Sequence, residues 1–135
     1  MALLKWDPSY SVRVNRYDED HKKLFSLINT LHESMLEGKG ADKVQLVVRQ
    51  LADYAKFHFA AEEVQLQKTD YPALAEHRAE HQAFVKQVEQ FQADLASGKV
   101  GLSVSVGIFM NEWLSHHIKQ TDQKYSAHLN AKGIS

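Results

Sequence analysis

Between Leu74 and Leu95 the chain sets Leu74, His77, His81, Phe84, Val88, Phe91 and Leu95 at strict three-four spacing, the period of one helix face. That stripe commits the segment to an amphipathic helix whose inner face is apolar except for two histidines. Three further segments carry the same period. Leu24, Ile28, Leu31 and Met35 form one stripe, which ends at Gly38-Lys39-Gly40. Val44, Val47, Leu51, Tyr54 and Ala55 form another, which continues into His58, Glu62 and Leu66 before Lys68-Thr69-Asp70-Tyr71-Pro72 breaks it. The third helix stops before Ser97-Gly98-Lys99, and Val106, Met110, Trp113 and His117 mark the last. The pattern predicts helices over about 18–37, 42–67, 71–96 and 102–127, with Asp18 as an N-cap and Pro72 in the first turn of the third. Residues 1–17, with Pro8, Ser9, Ser11 and the alternation Val12-Arg13-Val14, read as an extended arm anchored by Trp6. No linker or repeat divides the 135 residues, so the expected fold is one all-α domain. Short connections make it an antiparallel up-down-up-down four-helix bundle with an extended N-terminal arm.

The histidines set this bundle apart from a purely structural one. Of eight in the chain, His21, His58, His77, His81 and His117 fall where the period calls for a buried apolar side chain. One such histidine is ordinarily a core residue with a polar partner. Five, with at least one from every helix, are harder to satisfy, because an unpaired buried polar group costs roughly 1–3 kcal/mol. Glu62 lies on the same stripe, and no Lys or Arg shares these stripes to pair with it. Bound metal at the bundle centre satisfies all of these groups together. The i, i+4 pairs His58/Glu62 and His77/His81 each present two donors one turn apart. His117 and Asp122 are five apart, about 140° around an ideal α-helix. For Asp122 to join the cluster, a π-type widening is expected between them. His32, about 16 Å along the helix from His21, His116 on another face, and His128 in a fraying C-terminus read as structural or solvated.

The bulk properties narrow the class. A net charge of −1 with mixed signs gives no basic stripe for nucleic acid and no polybasic cluster for anionic lipid. The lack of cysteine removes disulfides, thiolate ligands and a thiol nucleophile. The start reaches Lys5 too early for a signal peptide, and no run approaches the roughly 18 apolar residues of a membrane span. A cytoplasmic protein is expected.

Taken together, these residues resemble the hemerythrin family over nearly the whole chain, in its single-domain prokaryotic form. The matching segments are Trp6-Asp7, Tyr17 to Leu24, His58-Phe-Ala-Ala-Glu62-Glu63, Tyr71-Pro72 to Phe84, Trp113-Leu-Ser-His-His117-Ile118 and Asp122-Gln-Lys-Tyr125. The resemblance implies two iron ions (Fe2+/Fe3+) with a bridging oxo or hydroxo group. His77, His81 and His117 would bind one iron and His21 with His58 the other, while Glu62 and Asp122 bridge them. One iron then has six ligands and the other five, and dioxygen is implied at the open position. The implied apolar pocket is Leu24, Phe59, Trp113, Leu114 and Ile118, residues that plain core packing also explains. Two departures stand out: Leu66, where many relatives carry Met, and Asp20 before His21, where Gln is common. The first bears on pocket polarity. The second is expected to matter little, because the side chain before a ligand tends to face outward.

The function this implies is reversible dioxygen binding at a non-haem di-iron centre, for storage, transport or delivery to an oxygen-consuming enzyme, by a monomer that is not itself an enzyme. Histidine-rich ligation with only two carboxylates, and no Glu-x-x-His signature, favours binding oxygen over activating it. The alternatives are a di-iron enzyme or sensor acting on nitric oxide, peroxide or oxygen, with Tyr54 a residue to inspect for redox work, and a zinc buffer.

Overall fold

The stripe on the third helix is buried as its spacing requires, with His77, His81, Phe84, Val88, Phe91 and Leu95 all in the interior. The computed structural model describes residues 5–37, 41–97 and 102–135, less the side chains at 35, 36, 41 and 102–107. The stripe positions Met35 and Val106 and the breakers Gly38-Lys39-Gly40 and Gly98-Lys99 lie outside that set. The helices are α1 (Asn15–Leu36), α2 (Ala41–Lys68), α3 (Leu74–Ala96), α4 (Leu102–His116) and α5 (Gln123–Ala131). A π-helical stretch, His117–Asp122, joins α4 to α5, so the last three form one rod. No strand occurs among the described residues. α1 packs on α2, α2 on α3, α3 on α4 and α4 on α1, which closes a four-rod bundle around one core.

Helix ends differ from the sequence expectation for local reasons. α1 begins at Asn15 rather than Asp18, because Val14 already supplies the carbonyl that Tyr17 and Asp18 bond at 3.0 Å. Asp18 therefore sits inside the first turn, and its carboxylate accepts from the Val12 amide (2.8 Å) and the Ser11 hydroxyl (2.6 Å). It holds the arm instead of capping the helix. Pro72 lies in the turn before α3, where Asp70 adopts φ +55° and Leu74 N bonds Tyr71 O at 3.2 Å. The last helix runs on to Ala131 rather than ending near 127. There Gly133, at φ +81°, lets Ile134 N bond Leu129 O at 2.9 Å and close the helix end. His128 is accordingly not in a frayed end; its Nε2 lies 3.0 Å from the Thr69 hydroxyl.

The arm is less extended than its sequence suggested. Pro8–Tyr10 makes a 3-10 turn, capped by the Asp7 carboxylate on Ser9 N. Val12 and Val14 are buried while Arg13 between them turns outward at φ +58°. The arm is tied to the last rod by Gln123 Nε2 on Ser11 O (2.8 Å) and Asn130 Nδ2 on Arg13 O (3.0 Å). Trp6 packs partly against the core, with the Lys22 ammonium 4.5 Å from its ring centroid.

Candidate metal centre

All four rods deliver a polar side chain to one point in the core. His21 comes from α1, His58 and Glu62 from α2, His77 and His81 from α3, and His117 and Asp122 from the two ends of the π stretch. Each of these side chains is buried. The donor atoms fall into two groups, Glu62/His77/His81/His117/Asp122 and His21/His58/Glu62, and within each group they lie within 4.8 Å of one another. The widening expected between His117 and Asp122 is present, and i→i+5 bonding lets both residues face inward. His32 is half-buried and His116 exposed, and neither belongs to the cluster.

The two carboxylates divide their oxygens between the groups. Glu62 Oε1 lies 3.1 Å from His77 Nε2 and 3.3 Å from His81 Nε2, while Oε2 lies 2.9 Å from His58 Nε2. Asp122 Oδ1 lies 2.9 Å from His117 Nε2 and 3.2 Å from His77 Nε2, while Oδ2 lies 3.3 Å from His21 Nε2. Nε2 atoms also face each other, His21 to His58 at 3.0 Å and His81 to His117 at 3.1 Å. Such a pair can share at most one proton favourably. Neither oxygen of Asp122 makes a hydrogen bond, although the residue is fully buried. A buried carboxylate that makes no hydrogen bond, ringed by imidazole nitrogens, is a donor set suited to cations.

Outward-facing atoms fix the inward-facing ones. His58 Nδ1 lies 2.8 Å from Asp20, His81 Nδ1 2.9 Å from Glu63 and His117 Nδ1 3.0 Å from Glu80. A carboxylate on Nδ1 selects the Nδ1–H tautomer and leaves the Nε2 lone pair free. These carboxylates are themselves held. Tyr54 OH donates to Asp20, Arg78 Nε to Glu63 and Thr121 OH to Glu80. Tyr125 OH donates to Glu62 Oε2 at 2.7 Å. Asp20 is thus buried and engaged, contrary to the expectation that it faces outward. The turn of about 100° from His21 points it at α2 rather than at solvent.

The charges are mutually supporting. Burial pushes the imidazoles of His58, His77 and His117 down, but the neighbouring carboxylates outweigh it and raise them to about 9, 9 and 10. His21 is raised as well, against its burial, by Asp122 and Glu62. Burial pushes Glu62 and Asp122 up, yet the surrounding imidazoles bring both below the usual carboxylate range. Glu80 falls to about 2, chiefly through its bond from His117.

Of the expected pocket residues, Phe59 stacks on His81 (centroids 3.9 Å, 6° between planes) and Trp113 on His117 (4.4 Å, 13°). Leu24, Leu114 and Ile118 are fully buried and Trp113 partly so, and Leu66 is core. Sequence reasoning gave no role to Asp20, Glu63, Glu80, Thr121 or Tyr125. Their signal in the residue pattern was position: each lies within three residues of a candidate ligand.

Comparison with known proteins agrees with this geometry. The family described as hemerythrin HHE cation binding domain matches residues 12–129. A bacteriohemerythrin of Stenotrophomonas maltophilia is 31% identical, covering 96% of this chain and 86% of that protein. One of Methylococcus capsulatus is 30% identical, covering 97% and 100%. A crystal structure of wild-type hemerythrin superposes with a TM-score of 0.89 at 29% identity, covering 95% of this chain and 98% of that one.

Proposed function

This chain belongs to the hemerythrin family, and from that premise we propose that its buried centre holds two irons and binds dioxygen reversibly, for storage, transport or delivery. His77, His81 and His117 would hold one iron, His21 and His58 the other, and Glu62 and Asp122 both. The observation that carries this reading is the division of each carboxylate's oxygens between the three-histidine and the two-histidine group. One metal would not use that arrangement. When bound, the irons would supply reversible redox chemistry toward dioxygen.

The protein's own residues do the rest. Nδ1 contacts to Asp20, Glu63 and Glu80 orient three imidazoles, and Tyr125 holds Glu62. Phe59 and Trp113 cover the imidazole faces on the three-histidine side. Leu24, Leu114 and Ile118, buried on α1, α4 and the π stretch, provide apolar surroundings that exclude water. In this reading each acid and imidazole of the cluster would be a ligand or steady one. We also propose that the carrier is a cytoplasmic monomer. No helix among the described residues is long and apolar enough to cross a membrane.

The test is to load the chain anaerobically with Fe2+, count the iron, and record visible spectra through cycles of oxygen and degassing. Two irons per chain and an absorption band that rises with oxygen and fades without it are expected. One-way oxidation without such a band would overturn the reading, and catalytic consumption of nitric oxide or peroxide would replace it with an enzyme.

A further inference from the structure

The two halves of the centre are backed differently. On the three-histidine side, Glu63 and Glu80 support His81 and His117. On the two-histidine side His21 Nδ1 has no partner, so His58 carries the one carboxylate contact made by an outward imidazole nitrogen there among the described residues. That carboxylate is Asp20, on α1, and its other oxygen accepts from Tyr54 OH at 2.9 Å, on α2 one turn before His58. Asp20 is 8% exposed. Tyr54 is half-buried and reaches outward to a groove it shares with Leu27 and Phe57.

We propose that Asp20 and Tyr54 form a positioning pair that sets how strongly His58 donates to the metal on the two-histidine side, and so sets the reduction potential of that metal. The inference rests on the di-iron reading and deepens it. The physical reason is polarisation. A carboxylate accepting Nδ1–H pulls the imidazole toward imidazolate and makes Nε2 a better donor, which favours the more highly charged metal. An amide at position 20 would keep the shape and lose the charge. Tyr54 works in the opposite sense: its O–H takes up part of the Asp20 charge, so the phenol moderates the carboxylate. The two residues should therefore act with opposite signs, although they touch each other and neither touches the metal.

The experiment compares wild type, Asp20→Asn and Tyr54→Phe, each loaded with two irons, by spectroelectrochemical titration. Asp20→Asn is expected to weaken ferric relative to ferrous binding about tenfold, within the usual range for the partner of a ligand histidine. That corresponds to a rise of about 59 mV for a one-electron couple. Tyr54→Phe should lower the potential by a smaller amount. In the zinc-loaded proteins, nitrogen-15 spectra should show the Nδ1–H tautomer of His58 in wild type and Tyr54→Phe, with a far-shifted proton that Asp20→Asn loses. Shifts of the same sign in both variants, or unchanged potentials with two irons bound, would overturn the pair. If wild type takes up fewer than two metals, the di-iron reading fails and the inference with it. Should Asp20→Asn not fold, the sign of the Tyr54→Phe shift decides alone.

Discussion

Loading the centre with metal at pH 7 should expel protons, and the structure gives their number. His58 and His77 are raised to about 9 and His117 to about 10, because Glu62, Asp122, Asp20 and Glu80 outweigh the effect of burial. In the metal-free protein at pH 7 these three imidazoles are about 99% protonated or more. A metal takes only the neutral ring, so binding releases about three protons per chain. The overall affinity for two Fe2+ should then climb roughly thousandfold per pH unit between about pH 6.5 and 8.5, on the order of 4 kcal/mol per unit. Above pH 10 it should level off. The same shifts give the stability of the metal-free fold its sign. A folded value raised above the unfolded one near 6.5 stabilises fully below pH 6.5, and that contribution is lost as pH rises through 9 to 10. Anaerobic calorimetric titration with Fe2+ at pH 7, in two buffers of different protonation enthalpy, counts the protons directly. Release of fewer than one proton per chain would refute the reasoning, for the imidazoles would then be neutral beside their carboxylates.

Other consequences follow from single contacts. Tyr125→Phe removes the donor to Glu62 from a fully buried site and should cost the metal-free protein about 1–3 kcal/mol in urea denaturation; a loss under about 0.5 kcal/mol would contradict the hydrogen bond. Phe59→Ala leaves a cavity beside Phe84 and uncovers the face of His81, so a loss of about 3–5 kcal/mol is expected in the same assay. Asp18→Ala should free the arm at a cost of about 1–3 kcal/mol, seen as faster exchange of the Val12 amide while the amides of mid-α1 stay protected. Deleting the exposed Gln120 should convert the π stretch to α-helix and put the ligands four apart, on one face as His58 and Glu62 are. Two irons should still bind, and loss of one would mean that the π geometry itself is required.

What the sequence made legible was whatever periodicity governs. The stripe on α3 specified a helix and its buried face, and the five off-pattern histidines marked the centre because each replaced a core residue. Even the distortion before Asp122 could be read, since five-residue spacing fails on an α-helix. Contacts between helices were not legible. Nothing local to Asp20 says that its neighbour is the outer nitrogen of His58, thirty-eight positions away, and nothing local to Asp18 says that it holds the arm rather than the helix end. Both follow from which helix faces which. A period tells whether a side chain points in, and packing alone tells what it meets there.

That distinction bears on how the centre is tuned. The proposed ligands sit on stripes the period exposes, so their positions leave little freedom. The carboxylates behind them come from flanking positions: Asp20 on α1 serves α2, Glu63 on α2 serves α3, and Glu80 on α3 serves the π stretch. In each case one rod supplies the inward imidazole and the rod before it supplies the carboxylate that steadies it. Helix packing and ligand electronics are therefore one property here. A shift of α1 against α2 would change the donation by His58 without moving any ligand along its own helix, which is why an acid beside His21 acts on a histidine of the neighbouring rod.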